Sequence, residues 1–351
     1  MAGTERSPDR GVRASVVVLN LNGRRYLDAC IEALLSQHLE GGHEVLLVDN
    51  GSTDGSADYV RGHWPDVCVI DAGRNLGFAA GNNLGIERAR GRHVVLLNND
   101  TRVRPGWLSA LVSTAEGDDS IGAVTSKVVF LERPGTIQNA GSLLLSDGSG
   151  ADRGSGEQDL GQYDSRTEVF GLCGCATLLN RVALDDVGVL DSTFFCYYED
   201  TDLSWRLRLR AWRIVYEPTA VVEHLHSGTS VEWSPFFTFH VDRNRLFMII
   251  KNAPPWFVAR CFAGFGLMSF KMVLRAAIRP FRAQRETLPG PRAGISPIVR
   301  ARLHASVMRS FLEHLPEMLR KRRQIRGARS VSDREIFRWL HSRKQWDSHS
   351  E

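Results

Sequence analysis

Residues 93–103 read HVVLLNNDTRV. Val94, Val95, Leu96 and Leu97 form a short continuous apolar run, the length and composition of a strand buried on both faces. The run stops on three polar residues, Asn98, Asn99 and Asp100. Strands buried on both faces belong to parallel sheets covered by helices, and such sheets bind ligands at the carboxyl ends of their strands. The triplet therefore stands where a ligand is expected. A metal at such an edge is more usually held by two carboxylates, and here two amides accompany one. Whether Asp100 belongs to a metal site is the question this stretch poses.

The surrounding sequence repeats the same plan. Ser15–Leu21 (SVVVLNL), Glu44–Val48 (EVLLV) and Val67–Ile70 are β-branched or apolar runs that predict strands. Tyr26–Gln37, Ser52–Arg61 and Phe78–Arg90 carry helical spacing, with Ser52 or Asp54 as candidate caps of the second. Pro105 opens another helix, at a position proline tolerates. Alternation of this kind predicts an α/β sheet, mostly parallel, with helices on both faces. Ile121–Phe130, Thr177–Asn180 and Arg213–Tyr216 extend the sheet; Arg181–Val187 and Thr201–Ala211 add helices. Residues 135–167, rich in Gly, Ser and Asp, read as a long loop or flexible hairpin, a length that is often functional. After Phe236 the pattern becomes long, basic and helical, without strands. The division expected is a disordered tail at 1–12, an α/β domain at 13–240 and a basic helical extension at 241–351.

The net charge of +4 hides an asymmetry. From Lys251 onward there are 21 Lys and Arg against 7 Asp and Glu, a net of +14, which leaves −10 for the rest of the chain. An acidic body with a basic appendage suits an anionic surface or partner. The 6 cysteines form no C-x-x-C pair and no zinc spacing, and the opening MAGTERSPDRG has no apolar signal core. These features predict reduced thiols and a cytoplasmic location. No run of about 18 apolar residues predicts a membrane-spanning helix.

Four segments concentrate chemistry. In VDNGSTDGS (48–56), Asp49 and Asn50 end a strand, where they can accept or donate hydrogen bonds to a base or ribose, or serve only as turn and cap. In NLGFAAGNNLGI (75–86), Asn75, Gly77 and Asn82 open a helix rich in small residues. That suits close approach of a ligand and a phosphate at the helix end, or tight packing of helix on sheet. The glycine spacing is not GxGxxG, which argues against a dinucleotide site. In FFCYYEDTDLSWRLRLRAWR (194–213), Glu199, Asp200 and Asp202 are more carboxylates than a helix start needs, and one can act as a general base. In VVEHLHSGTS (221–230), His224 and His226 are candidate metal ligands.

Taken together and in this order, VVVLNLNG, VDNGSTDGS, NLGFAAGNN, LLNND and YYEDTDLSWRLRLRAWR resemble the family 2 glycosyltransferases, above all their rhamnosyltransferase-like branch. The resemblance runs from Ala14 to Asn252. It implies the GT-A fold, a Rossmann-like sheet flanked by helices, and inverting transfer from a nucleoside-diphosphate sugar with Mg2+ or Mn2+. It implies that Asn20 and Asn22 meet the nucleotide and that Asp49, with Asn50, holds the base. Asn75, Gly77 and Asn82 lie along nucleotide and sugar. Asn98-Asn99-Asp100 takes the D-x-D position, with Asp100 on the metal and the amides toward the ribose. Glu199-Asp200 matches the ED motif with Asp200 as base. His224 completes the metal site, with His226 as the alternative register. GLCGCAT (171–177), with Cys173 and Gly174, falls where the acceptor is lined. The departure is Asn98, which stands where the family carries its first acid. One aspartate is chemically sufficient when phosphates and waters fill the other positions around Mg2+.

The implied partners are a nucleotide-sugar donor and a glycan or lipid-linked acceptor, with rhamnose from a dTDP donor the first candidate. Trp256–Phe281 is apolar but interrupted by Arg260, Lys271, Arg275 and Arg279, the pattern of a helix lying in a lipid headgroup region or packed on protein. Leu319–Arg329 (LRKRRQIRGAR) adds charge that anionic lipid attracts. No nucleic-acid-binding module accompanies it. Two other readings compete with this one. A nucleotidyltransferase would show a Gly-rich basic loop after the first strand, which LNLNGRRYL matches poorly, and a non-catalytic nucleotide-sugar-binding protein would bind without turnover.

Overall fold

The structure, a computed structural model, describes residues 11–225, 234–278 and 297–343, with the side chains of 268–278 and of 297–298 left aside. Most of the expected 1–12 tail, His226 and the end of the 256–281 segment fall outside the described residues.

The strands are β1 (Ala14–Asn20), β2 (His43–Asp49), β3 (Val67–Asp71), β4 (His93–Asn98), β5 (Thr101–Val103), β6 (Ile121–Phe130), β7 (Ile137–Asn139), β8 (Ser142–Leu145), β9 (Gly150–Asp152), β10 (Thr167–Glu168), β11 (Ala176–Asn180), β12 (Arg213–His224) and β13 (Leu340–His341). The helices are α1 (Arg24–Leu35), α2 (Ser56–His63), α3 (Gly77–Arg88), α4 (Trp107–Glu116), α5 (Arg181–Val187), α6 (Glu199–Leu209), α7 (Pro235–Asn252), α8 (Pro255–Ile278), α9 (Pro297–Ala328) and α10 (Asp333–Ile336). The main sheet runs β10-β12-β6-β11-β4-β1-β2-β3, with β5 on β12 and β7 on β6. β1 is parallel to both β2 and β4, and β11 runs antiparallel between β4 and β6. The chain leaves β1 toward β2 and β3 and later returns to its other side with β4. That reversal opens a crevice at the carboxyl ends of β1 and β4, the usual ligand position in such sheets. The register levels this edge: Asn20 faces Asp49, and Leu19 faces Asn98.

The sheet is buried on both faces because its strands are apolar on both. One face packs Leu27, Ile31 and Leu34 of α1 with Trp107, Leu108 and Leu111 of α4. The other packs Ala79 and Ile86 of α3 with Leu203 and Leu207 of α6. The small residues of α3 serve this contact. A Cβ on Gly81 would lie 2.5 Å from Leu19, and one on Gly85 2.2 Å from Val17, so α3 lies directly on β1.

Two sequence expectations change. Residues 135–167 are largely ordered: β7 joins the main sheet, and β8 and β9 form a hairpin. The buried Lys127 ammonium pins the end of the segment through Asp159 at 2.9 Å and Asp164 at 2.6 Å. The basic extension does contain a strand. β13 pairs in parallel with β8, so the far end of the chain returns to the α/β domain. A two-residue strand is too short to show alternation in sequence.

The C-terminal helices share a core with that domain. Leu246, Phe247 and Ile249 of α7, Phe257 of α8 and Met318 of α9 pack with Phe170, Phe194 and Trp205. Much of the basic run also bonds within the protein. Lys321 reaches Asp191 at 2.7 Å, Arg322 the carbonyls of Ile250 and Ala253, and Arg326 the carboxylate of Asp333. Among the described residues no helix is long and apolar enough to cross a membrane.

Candidate active site

The carboxyl edge of the sheet gathers a connected polar array. Val and Leu residues carry β1 and β2 through the core, and each strand ends on a polar residue, Asn20 and Asp49. Asn20, fully buried, donates from Nδ2 to Asp49 Oδ1 at 3.2 Å and to Ser52 Oγ at 3.1 Å. Its Oδ1 accepts Asn99 Nδ2 at 2.7 Å. Asp49 also receives the Ser52 backbone N–H at 3.0 Å. Asn22 sits at φ 52°, where asparagine is tolerated, and its Oδ1 accepts the Thr53 N–H at 2.7 Å. Ser52 is thus turned toward Asn20 rather than capping α2, whose N-cap is Gly55.

The second turn is built the same way. Asn50 accepts the Leu76 N–H at 2.9 Å and donates to Asn75 Oδ1 at 3.2 Å, while Asn75 Oδ1 takes the Gly77 N–H at 2.9 Å. These bonds hold the entry to α3, where Gly77 adopts φ 82°. Asn82 stands apart from this array: it is buried inside α3 and donates to Phe78 O at 2.9 Å.

Asp100 and His224 meet where β5, which begins directly after Asp100, pairs with the end of β12. The His224 Nε2 lies 3.1 Å from Asp100 Oδ1, and both side chains are buried. Nδ1 lies 2.9 Å from Gln138 Oε1, which can only accept, so Nδ1 carries the proton. A histidine oriented by its far nitrogen in this way presents Nε2 for a metal. Adjacent ligands about 2.1 Å from an octahedral ion stand about 3 Å apart, which the Asp100–His224 separation fits. Asn98 Nδ2 lies 3.4 Å from the same Nε2, an amide at the edge of the pair rather than a carboxylate within it. Among the described residues no group of three or more Asp, Glu, His or Cys is arranged to hold a metal ion. Asp100 and His224 are thus a pair of candidate ligands, and a metal there would need its remaining positions filled by oxygen donors from outside.

The third part is the start of α6. Three residues in the turn before it, Phe195, Tyr197 and Tyr198, have positive φ, at 66°, 67° and 70°. Such a conformation is costly for bulky side chains, of order 1–3 kcal/mol each, and such outliers gather at functional sites. The turn delivers Glu199 and Asp200. Asp200 Oδ2 receives the Gly174 N–H at 3.2 Å, and Oδ1 the Thr201 N–H at 2.6 Å. Burial raises the Asp200 carboxyl above its ordinary range, although these two N–H groups pull it down. Burial, then the neighbouring Asp200 charge, pushes Glu199 up much further, and Glu199 Oε2 has no hydrogen-bond partner among the described residues. The third acid separates from these two. Asp202, with no exposed surface, bonds Arg206 Nε at 2.9 Å, Lys251 Nζ at 2.9 Å and Asn252 Nδ2 at 2.8 Å, so its charge is structural.

One short segment joins the second and third parts. The Asn98 N–H donates to Cys175 O at 2.9 Å, and Gly174 holds Asp200. The turn of Cys173, Gly174 and Cys175 therefore forms a wall shared by the triplet and the carboxylate. Gln138 is a site residue that the motifs do not reveal: it lies in a Gly- and Ser-rich stretch with no pattern around it.

A mostly parallel sheet with its polar array at the switch point, an acid–histidine pair at the β4–β5 turn and the end of β12, and a carboxylate at the start of α6 are the features of a glycosyltransferase with the GT-A fold. The profile described as Glycosyl transferase family 2 matches residues 15–188, which form a domain of that family. The chain is 27% identical over 252 residues to the N-acetylglucosaminyl-diphospho-decaprenol L-rhamnosyltransferase of Mycobacterium tuberculosis, covering 64% of this chain and 80% of that one. It is also 27% identical over 229 residues to an uncharacterized protein of Sinorhizobium fredii, covering 61% of this chain but only 24% of the length of that protein. Among solved structures, a mannosyltransferase from Pyrobaculum calidifontis in complex with GDP-Man and Mn2+ superposes with a TM-score of 0.52 at 16% identity, over 92% of this chain and 88% of that one.

Proposed function

We propose that the protein transfers a sugar, with inversion, from a nucleoside-diphosphate sugar to a hydroxyl of a lipid-linked or cell-surface glycan. The first candidate donor is dTDP-rhamnose. The observation that carries this reading is how these groups are tied together: the Asn20–Asp49–Asn99 array and the Asp100–His224 pair stand at the end of the β4 triplet, and the 173–175 turn that accepts the Asn98 N–H also donates to Asp200 at the start of α6.

Asp49, Asn20, Asn22 and Asn50 bind the nucleoside, and Asn75 with Gly77 shapes the turn along the diphosphate and sugar. Asn98 and Asn99 face the ribose side. Asp100 and His224 hold Mg2+ or Mn2+, which when bound neutralises charge that gathers on the leaving diphosphate. The acceptor oxygen attacks the anomeric carbon while the bond from that carbon to the diphosphate oxygen breaks on the opposite face. Asp200 takes the hydroxyl proton, and its raised affinity for protons suits that task. Burial raises the affinity of the neighbouring Glu199 for its proton, which disfavours a second negative charge beside Asp200. Cys173 and Gly174 line the acceptor side. His226 is a further candidate for the metal.

The enzyme works in the cytoplasm, peripherally at the inner face of the plasma membrane. Trp256 and Leu267 are exposed on α8 beside Arg260, and the basic C-terminal part supplies the attraction to anionic lipid.

The test is release of nucleoside diphosphate from a panel of labelled nucleotide sugars with Mg2+ or Mn2+, with and without a lipid-linked acceptor. Acceptor-stimulated release that the chelator EDTA abolishes is the expected result. Asp100→Ala should raise the metal concentration needed by at least about tenfold, the scale on which a lost ligand or its support weakens a site. An unchanged metal titration removes Asp100 from the site.

A further inference from the structure

Asn244 lies on α7, outside every catalytic motif, and has no exposed surface. Its Nδ2 points at three backbone carbonyls, those of Phe194, Cys196 and Tyr197, each at 2.8 Å. An amide nitrogen has two hydrogens, so one of them is shared. Its Oδ1 accepts Arg243 Nε at 2.9 Å, and Arg243 Nη2 reaches the carbonyls of Phe194 at 3.0 Å and Thr193 at 3.3 Å. One side chain, steadied by its neighbour, thus holds the backbone of a whole turn.

That turn is the strained one. Phe195, Tyr197 and Tyr198 adopt left-handed backbone without a glycine among them. Such a conformation persists only where the surroundings over-determine it. The turn also has two functional flanks. Toward the donor, Phe195 O accepts the Ala79 N–H at 3.1 Å, and a Cβ on Gly77 would lie 2.6 Å from both the Phe195 ring and its carbonyl. Toward the acceptor, the turn runs directly into Glu199 and Asp200 at the start of α6. Phe237, near the start of α7, stacks edge-on with Tyr197 at 5.0 Å, so the same helix meets the turn a second time.

We infer that Asn244 is a positioning residue: from α7 it ties down the 194–198 turn and so sets the distance between the donor-binding entry of α3 and the carboxylate that takes the acceptor proton. This rests on the assignment of Asp200 as base. Asn244 touches neither substrate. Its effect passes through the turn, and it should change turnover rather than donor binding. A purely structural asparagine would instead weaken the α7 core as a whole.

The test uses the full chain carrying N244D, which keeps the shape but removes both donors, and N244A as a second variant should one of them fold poorly. Hydrogen–deuterium exchange without ligand gives the first readout. Peptides spanning 194–201 and the start of α3 should exchange faster, while those from the rest of α7 and from α9 match wild type. Kinetics give the second, with whichever of dTDP-rhamnose, UDP-N-acetylglucosamine or GDP-mannose the wild type turns over fastest. The turnover number should fall about 100-fold, the scale of an ångström-sized misplacement, with the donor KM held within about threefold. Turnover near wild type, or faster exchange spread evenly over α7 and α9, overturns the inference. D200N run alongside separates the two claims. If D200N keeps wild-type turnover, the assignment of the base fails; if D200N is inactive while N244D is fully active, the positioning role alone fails.

Discussion

Replacing Asp202 by asparagine keeps the side chain's shape and removes one negative charge from a closed site. Around it lie the Lys251 ammonium, 1% exposed, Arg206, 7% exposed, and Asp191, which Lys321 also contacts. Asp202 and Asp191 together face three cations. Burial alone would raise the Asp191 carboxyl, but Lys251 and then Lys321 hold it well below the usual range, so it is already committed. In D202N the Arg206 and Lys251 charges lose their shared partner, and an amide N–H group is forced against Lys251 or Asn252. Removing one member of a buried ion pair costs about 3–5 kcal/mol, because the charge left behind cannot reach water. Equilibrium urea unfolding, followed by tryptophan fluorescence, should show a loss of that size. In D202N Lys251 keeps only Asp191, at 2.6 Å, so the double variant D202N/K251M removes an ammonium that has lost one of its two carboxylates and should recover more than about 1 kcal/mol relative to the sum of the single variants. The folded fraction of D202N should still transfer sugar, since Asp202 bonds α7 rather than the cleft. A loss below about 1 kcal/mol, or no coupling with Lys251, would refute the reasoning.

Two further outcomes follow from local geometry. Glu116 is held down to about 2 by Arg13, against burial and with help from His93. Its folded value lies below the unfolded value of about 4.3, so its stabilisation is complete above that pH and is lost as pH falls toward 2. The stability gap between wild type and E116Q, measured by urea unfolding across pH 7 to 2, should therefore close through this window; a constant gap contradicts it. Gly77→Ala puts a Cβ at φ 82° and within 2.6 Å of Phe195, which should cost at least about 2 kcal/mol in thermal unfolding and weaken nucleotide binding by calorimetric titration.

The parts of the fold most legible in the sequence were those where burial and periodicity agree. SVVVLNL, EVLLV and HVVLL are apolar enough to be strands and short enough not to be helices, and each ends on the polar residue that reaches the site. The ordering of 135–167 was not legible. It depends on Lys127, Asp159 and Asp164 meeting across 32 and 37 residues of chain, a contact with no local signature. The antiparallel direction of β11 was hidden for the same reason, since a five-residue strand such as ATLLN carries no mark of its direction. Within the site, spacing brought out all three acids of α6 but could not sort them. Asp200 and Asp202 differ only in which way the helix turns them, one toward Gly174 and the other toward Lys251. Gln138 and Asn244 act through single contacts to distant segments, and a lone amide in a Gly-rich stretch or a basic helix carries no pattern.

The most direct test of the central claim is a single-turnover measurement with D200N, using radiolabelled donor, Mn2+ and a lipid-linked acceptor. Donor and metal should bind with affinities within about threefold of wild type while transfer to the acceptor falls by a factor of about 100 or more, since 100 is the lower end of what loss of a general base costs. Transfer by D200N at the wild-type rate would contradict that claim.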